Sequence, residues 1–171
     1  MNQHNAGSSF VIMGVSSTGK SSVGEAFANA IQAKFIDGDD LHPKANIIKM
    51  TSGQPLDDED RNPWLERIND VAFSIEKKNE RGVIVCSALK KKYREQICQG
   101  NSKITFIFLH GDFDLVLRRM QDRKGHFMPV ELLKTQFNTL EIPQQDETNV
   151  IHISIEGTFE EVIARCISAA G

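Results

Sequence analysis

The chain of 171 residues has few cysteines and no long apolar run. Cys86, Cys98 and Cys166 are odd in number and widely spaced, which argues against a disulfide framework or a zinc site and favours reduced thiols. No apolar run approaches the roughly 18 residues of a membrane span. The first residues, MNQHNAGSS, lack the basic start and apolar core of a signal peptide. We therefore expect a soluble, cytoplasmic protein.

Neither sign of charge dominates the chain. Lys and Arg number 20 and Asp and Glu 23, which leaves a formal net charge of -3. This balance gives no indication of a nucleic-acid or anionic-membrane partner, although it allows a local basic pocket for a small anion. Internal repeats and low-complexity segments are also missing. The length is typical of one globular domain, which we assign to residues 1–171.

Short apolar segments alternate with longer amphipathic ones. Segments such as ITFIFL are apolar throughout, which is typical of strands buried on both faces of a parallel sheet. The alternation predicts a three-layer α/β/α fold with about five parallel strands and helices on both faces. The predicted strands cover residues 10–13, 34–37, 82–87, 104–109 and 150–155, and the predicted helices cover about 19–33, 44–51, 59–79, 90–99, 112–123, 130–141 and 159–169.

The first predicted strand leads into GVSSTGKS, residues 14–21, which satisfies the phosphate-loop (P-loop) pattern G-x-x-x-x-G-K-[ST]. Gly14 and Gly19 allow the backbone to turn amide groups inward, and the following helix N-terminus favours phosphate oxygens. Lys20 is placed to reach the β- and γ-phosphates of ATP, and the Ser21 hydroxyl to bind Mg²⁺. The predicted ATP-binding residues are Gly14, Val15, Ser16, Ser17, Thr18, Gly19, Lys20, Ser21 and Ser22.

Several classes of P-loop protein lack their expected motifs. A regulatory GTPase needs an Asn-Lys-x-Asp segment, and the chain has none. Motor and transporter ATPases carry an acid at the end of an apolar strand, yet GVIVCS ends in Cys86 and Ser87. Asp112 follows ITFIFLHG, but it is equally placed to cap the next helix, and Thr158 with Glu161 forms a capping-box pattern for the last one. A small-molecule kinase, a slow ATP-hydrolysing switch and a degenerate P-loop domain remain as alternatives.

The segment DGDD, residues 37–40, directly follows the second predicted strand. The carboxyl ends of strands in a parallel sheet face the same crevice as the P-loop. Asp37 and Asp39 are therefore placed to point into that crevice, one toward Mg²⁺ and the other toward an acceptor hydroxyl. The alternative is a plain acidic turn, which the intervening Gly38 also favours.

The segment QDRKGHFMPV, with its glycine and proline, is predicted to form a lid. Arg119 and Arg123 precede its glycine, and their i, i+4 spacing puts both on one helical face. Arginine forks suit the oxygens of a transferring phosphoryl group, whereas a solvated basic face is the alternative. Because a kinase must exclude water, we predict a mobile lid over about residues 118–131, and a flexible N-terminal arm over residues 1–8.

Polar and cationic side chains are concentrated after the second and third predicted strands. They suit a small, hydroxyl-rich, negatively charged acceptor, because an apolar one would leave them unpaired at about 1–3 kcal/mol each. One Trp and one Tyr offer few rings for base stacking, which argues against a nucleoside acceptor. The set comprises His42, Lys44, Asn46, Lys49, Arg61 and Trp64, followed by Ser87, Lys90, Lys91, Lys92, Tyr93 and Arg94.

Four segments together resemble the bacterial gluconokinase family over about residues 10–155. They are MGVSSTGKSSVG, FIDGDDLHPKANIIKMTSGQPLDDEDRNPWL, VIVCSALKKKYRE and RKGHFMPVELLKTQFNTLEIP. Within the family the chain resembles the thermosensitive, or idonate-pathway, members. The resemblance implies an adenylate-kinase-like fold and Mg²⁺-dependent transfer of phosphate from ATP to the terminal hydroxyl of D-gluconate, giving 6-phospho-D-gluconate in gluconate or idonate catabolism. It also implies a homodimer.

The resemblance also implies roles for individual residues. The D-x-D pattern of Asp37 and Asp39 contacts magnesium and the acceptor, with Asp39 orienting the hydroxyl and accepting its proton. Ser17-Thr18 stands where family members commonly have Gly-Ser, so we expect altered loop stiffness without lost chemistry. We assign catalysis to Lys20, Asp39, Arg119 and Arg123, metal binding to Ser21 and Asp37, and substrate binding to Asp39, His42, Lys49, Arg61, Ser87 and Lys90.

Overall fold

Five apolar segments form one parallel sheet. The computed structural model of the chain describes residues 7–123 and 129–171. Because every paired strand runs in the same direction, the carboxyl ends of the strands meet at one edge of the sheet. The predicted five-stranded parallel sheet is confirmed. Its order is β2-β3-β1-β4-β5, with β1 at Ser8–Met13, β2 at Lys34–Asp37, β3 at Arg81–Val85, β4 at Ile104–His110 and β5 at Val150–Ser154.

Seven α-helices lie in the described part of the chain, with bounds close to the predicted ones. Asp112 caps α5, as its carboxylate accepts a hydrogen bond from the Leu115 amide over 2.8 Å. The capping box of Thr158 and Glu161 at the start of α7 is also present. The helices are α1 (Lys20–Ile31), α2 (Lys44–Thr51), α3 (Asp58–Lys77), α4 (Lys91–Cys98), α5 (Phe113–Asp122), α6 (Val130–Thr139) and α7 (Phe159–Ala170), and a short 3₁₀ turn, the acidic turn, covers Gly38–Leu41.

The helices cover both faces of the sheet, which produces two apolar cores. Ile12 of β1 is fully buried in the core formed with α1, α5, α6 and α7. Its neighbours Val11 and Met13 belong to the opposite core, where α3 and α4 pack. This alternation along one strand follows from the strand period of two. The predicted three-layer arrangement is therefore confirmed.

A buried ion pair joins α4 to the segment before β5. The Arg94 side chain is 2% exposed and grips Glu147 through Nε and a terminal nitrogen, at 2.6 and 2.8 Å. It also donates to the carbonyl oxygens of Ala88, Leu89 and Glu141. All of these contacts satisfy a guanidinium group that would otherwise be buried without partners.

Parts of two predicted segments fall on residues that the structure does not describe. The centre of the predicted lid, residues 124–128, lies outside the described residues, as do residues 1–6 of the predicted arm. Ser8, the last residue of that arm, already opens β1. Among the described residues, no helix is both long enough and apolar enough to cross a bilayer.

We expect Arg94→Ala to lower the free energy of unfolding by about 3–5 kcal/mol, because Glu147 would remain buried without its partner. The matched control is Lys91→Ala, which removes a surface pair with Asp146 whose side chains are 45% and 60% exposed. That control is expected to cost less than about 1 kcal/mol. Urea unfolding measures both, and equal small losses would contradict a structural role for the Arg94 pair.

Candidate active site

The P-loop joins the carboxyl end of β1 to the first turn of α1. Gly14 and Gly19 have φ angles of 144° and 88°, which residues with side chains rarely adopt. A Cβ atom at Gly14 would lie 2.6 Å from the carbonyl oxygen of Leu109, so the loop approaches β4 as only glycine allows. Among the described residues, no side chain caps α1 at Gly19. Its first amide groups are therefore available to a phosphate group.

The middle of the P-loop accommodates Ser17 and Thr18 without losing the loop's form. Ser17 has a φ angle of 65°, a left-handed conformation that costs a non-glycine residue about 1–2 kcal/mol. Thr18 is buried, and its hydroxyl donates to the carbonyl oxygen of Val15 over 2.9 Å. The loop thus keeps its form with a strained backbone at Ser17, where glycine would be unstrained, and with a side-chain hydrogen bond from Thr18. The altered loop stiffness stays a prediction.

Lys20 places a poorly solvated cation beside the loop. Its ammonium group donates to the carbonyl oxygen of Val15 over 2.9 Å. Burial lowers the pKa of Lys20 to about 8. Arg123 contributes to this shift, whereas Asp39 and Asp37 oppose it. The structure therefore brings these four predicted site residues into one electrostatic environment.

The acidic turn is held between β3 and α3. A Cβ atom at Gly38 would lie 2.2 Å from the Val85 carbonyl oxygen, so the backbone of the turn rests directly on β3. From the other side, the indole N–H of Trp64 donates to the Gly38 carbonyl oxygen over 2.7 Å. Asp37 caps the turn by accepting the amide N–H of Asp39 over 3.0 Å. The turn is thus held by β3, Trp64 and Asp37, and its Asp39 lies near enough to Lys20 to affect the pKa of that residue.

The carboxylates of Asp37 and Asp39 are close enough to repel each other. Partial burial and the nearby Asp37 raise the pKa of Asp39, whereas His42 and Lys20 lower it. A cation between the carboxylates would relieve this repulsion, and carboxylate and hydroxyl oxygens are ligands that Mg²⁺ prefers. The Asp37 carboxylate and the hydroxyl of Ser21, in the first turn of α1, are oxygen donors of the kind that Mg²⁺ prefers, and their binding of the metal stays a prediction.

His42 lies beneath the acidic turn, in contact with α2 and α3. Its ring stacks on Trp64 with a centroid distance of 4.2 Å and an interplanar angle of 13°. Its Nδ1 atom lies 3.2 Å from the side-chain nitrogen of Asn46. Burial lowers the pKa of His42, and the charge of Asp39 opposes this shift without reversing it. The predicted substrate residue His42 is thus electrostatically coupled to the predicted catalytic carboxylate.

Two of the predicted substrate cations gather around Tyr93. The charged groups of Arg61 and Lys90 lie 5.7 and 5.6 Å from the Tyr93 ring centre. Lys90 also forms an ion pair with Asp58 at 3.2 Å, and the Tyr93 hydroxyl donates to the same carboxylate. Hydrogen bonds from Lys92, Tyr93 and Lys90 hold the pKa of Asp58 well below its usual range. The Asp58 carboxylate thus offsets part of the positive charge of Arg61, Lys90 and Lys92. Together these cations form a basic cluster that suits an anionic ligand.

Lys49 and Ser87, two other predicted substrate residues, form contacts within the protein. The Lys49 ammonium group pairs with the Asp60 carboxylate over 2.5 Å. Ser87 contributes its backbone, because its carbonyl oxygen accepts the Gly14 amide over 3.2 Å. Their substrate contacts stay predictions.

The two predicted lid arginines have different surroundings. Arg123 ends α5 and lies near enough to Lys20 to lower its pKa. Arg119 instead donates to the carbonyl oxygens of Ile155 and Gly157, at 2.8 and 3.1 Å, in the turn between β5 and α7. The structure thus does not orient the two guanidinium groups alike, and the roles assigned to them stay predictions.

Gln136 is a site residue that the sequence did not indicate. Its carboxamide oxygen accepts the Ser16 amide over 2.7 Å, and its nitrogen donates to the Ser16 hydroxyl over 3.0 Å. Helix α6, which follows the predicted lid, is thereby tied to the P-loop. A glutamine in an amphipathic helix carries no motif, and its partner lies 120 residues earlier, so only the fold could reveal this pair.

Comparison with known proteins agrees with this geometry. The family model described as shikimate kinase matches residues 16–170, and together with the P-loop and the parallel sheet it defines a P-loop kinase of small molecules. The chain is 54% identical over 164 residues to the thermosensitive gluconokinase of Escherichia coli strain K12, covering 96% of this chain and 88% of that protein. The chain belongs to the gluconokinase family.

Two further relatives support this membership. The thermoresistant gluconokinase of Escherichia coli strain K12 is 49% identical over 158 residues, covering 92% of this chain and 90% of that protein. The crystal structure of a gluconokinase from Sinorhizobium meliloti 1021 has a TM-score of 0.86 and 42% identity, and the match covers 96% of this chain and 91% of that one. The resemblance to gluconokinases and the predicted P-loop kinase fold are confirmed.

We expect ATP affinity to fall as the pH rises through the pKa of Lys20, about 8. ATP phosphates favour the charged amine, so above this pH the free protein must first take up a proton. Affinity should be roughly tenfold weaker at about pH 9 than at about pH 7. Calorimetric titration with ATP measures this change. Lys20→Arg, which stays charged, should show a flat profile, and an equally flat wild-type profile would contradict the shifted pKa.

Proposed function

We propose that the protein transfers the γ-phosphoryl group of ATP to the terminal hydroxyl of D-gluconate, releasing ADP and 6-phospho-D-gluconate. Membership of the gluconokinase family supports this substrate. The observation that carries the proposal is the position of the acidic turn. Asp39 lies near enough to both Lys20 and His42 for each of them to lower its pKa, so one carboxylate is shared by the phosphate loop and the polar residues proposed to bind the acceptor.

On the phosphate side, the P-loop amides and Lys20 bind and orient the β- and γ-phosphates. Ser21 and Asp37 would hold Mg²⁺, which supplies positive charge to the phosphate oxygens when it is bound. Arg123 neutralises charge that develops on the transferring group, and the proposed role of Arg119 is to assist it from one turn earlier in α5. The predicted lid excludes water, which would otherwise accept the phosphoryl group.

On the acceptor side, Asp39 orients the terminal hydroxyl of gluconate and takes its proton. The hydroxyl oxygen forms a bond to the γ-phosphorus while the bond to the bridging oxygen breaks, and ADP leaves with that electron pair. We assign the substrate carboxylate to Arg61 and Lys90, whose charged groups lie on the Tyr93 ring. Lys49 and Ser87 are proposed to contact the remaining hydroxyl groups.

We further propose that the protein acts in the cytoplasm as a homodimer. Cys86, Cys98 and Cys166 are free thiols, which supports a reducing compartment. Helix α2 exposes Ile48 to 60% and Ile47 to 48%, so it has apolar surface that a second copy could cover.

The first test is ADP release from ATP and Mg²⁺, with and without D-gluconate, beside shikimate, gulonate, idonate and nucleosides. Strong stimulation by gluconate alone is expected, because the Arg61–Lys90 cluster and the polar pocket suit a linear sugar acid. Stimulation by shikimate or a nucleoside instead would reassign the acceptor. ADP release at the same rate without any acceptor would favour an ATP-hydrolysing switch, and no ATP binding would indicate a degenerate P-loop.

We expect Asp39→Asn to lower kcat by about 10²–10⁴-fold, because the amide cannot take the hydroxyl proton. At a pH well below the pKa of Lys20, where that amine stays charged in both proteins, ATP affinity should not weaken, since the change removes a negative charge near the phosphate site. The matched control is Asp40→Asn, an exposed neighbour in the same turn, for which near wild-type kcat is expected. Steady-state kinetics measure both variants, and similar kcat values for the two would refute the role of Asp39.

A further inference from the structure

His42, a predicted substrate-binding residue whose binding atom the sequence does not identify, is the centre of a buried polar cluster. The residue is only 8% exposed, and its ring is stacked on the buried indole of Trp64. The side-chain nitrogen of Asn46 lies 3.2 Å from His42 Nδ1 and 2.9 Å from the backbone carbonyl oxygen of Asp60. Asn46 is itself 4% exposed. Each of these contacts restricts the orientation of the imidazole ring.

The contacts of Asn46 determine which ring nitrogen of His42 carries the proton. A backbone carbonyl only accepts hydrogen bonds, so the Asn46 atom facing Asp60 must be the amide nitrogen. That nitrogen has two hydrogens, and the second one points to His42 Nδ1. Since two donors cannot face each other, Nδ1 must be the acceptor. The neutral ring therefore carries its proton on Nε2.

The environment of His42 keeps the ring neutral. Burial lowers the pKa of His42, as does Arg61 on α3, while Asp39 in the acidic turn opposes both. Within residues 7–123 and 129–171, no protein group accepts a hydrogen bond from Nε2. Nε2 is not among the fully buried polar atoms of the described residues that lack a partner, so this donor reaches the protein surface. It is therefore open to an oxygen atom that arrives with a ligand.

We propose that His42 is a specificity-determining donor whose Nε2–H binds a hydroxyl oxygen of the sugar acid, next to the hydroxyl that Asp39 orients. Asn46 and Trp64 are positioning residues, which hold the tautomer and the plane of the ring. This inference rests on the proposed function for the identity of the acceptor. The tautomer itself rests only on the contacts of the free protein.

The tautomer can be measured without any substrate. Long-range ¹H–¹⁵N spectra of protein labelled at its five histidines should show the His42 ring with a protonated Nε2 and an unprotonated Nδ1. His42→Gln identifies this ring by the loss of its signals. In Asn46→Asp, a carboxylate that only accepts would face Nδ1, so that nitrogen should become protonated. A wild-type ring with its proton on Nδ1, or an unchanged ring in Asn46→Asp, would overturn the inference.

Kinetics of two conservative variants test the role of the donor. The amide nitrogen of glutamine is as many bonds from Cα as histidine Nε2, whereas that of asparagine corresponds to Nδ1. His42→Asn should raise KM for gluconate about tenfold or more, while His42→Gln should stay within about threefold of wild type. KM for ATP should change in neither. The matched control is His152→Asn on β5, where histidine is exposed and no change is expected.

The outcomes separate the two proposals. Equal KM values for gluconate in His42→Gln and His42→Asn would overturn the donor role, even if the protein phosphorylates gluconate. If gluconate is no substrate but the Nε2–H tautomer is observed, the proposed acceptor is wrong. The same variants, assayed with the true acceptor from the panel, then test the donor role.

Discussion

The acidic turn packs directly against β3, and this close contact positions the chemistry of the site. Only hydrogen at Gly38 fits beneath the Val85 carbonyl, and Trp64 holds the other side of the same peptide unit. This packing fixes the positions of Asp37 and Asp39 relative to the carboxyl edge of the sheet. Lys20 reaches the same edge because β1 lies next to β3. A larger residue at position 38 would separate the carboxylates from the phosphate loop.

Charge compensation is the second constraint on the site. The basic groups needed to bind two anionic substrates would repel one another in the free protein, and carboxylates reduce this repulsion. Asp58 accepts hydrogen bonds from Lys90, Lys92 and Tyr93, and Lys49 pairs with Asp60. Lys20 is the exception, since its surroundings favour the neutral amine more than water does. Phosphate binding would remove this penalty, which links occupation of the P-loop to the charge of Lys20.

Features that depend on neighbouring residues were predictable from the chain. The P-loop, the caps at Asp112 and Thr158 and the apolar strands depend on local geometry, and the structure has each of them. The contacts of Arg119 were not predictable. Its i, i+4 relation to Arg123 is correct in the helix, but the length of the side chain lets it reach the β5–α7 turn instead of the phosphate loop.

Residue order alone thus specified a parallel α/β sheet, a phosphate loop and an acidic turn, because each arises from hydrophobic periodicity or from short-range backbone chemistry. Packing of distant segments decided which polar groups meet. Gln136 reaches Ser16, Tyr93 reaches Asp58, and Asn46 orients His42 while binding the backbone of α3. Such pairs depend on a few ångströms of helix placement. That placement is settled by burial of the two apolar cores on either side of the sheet.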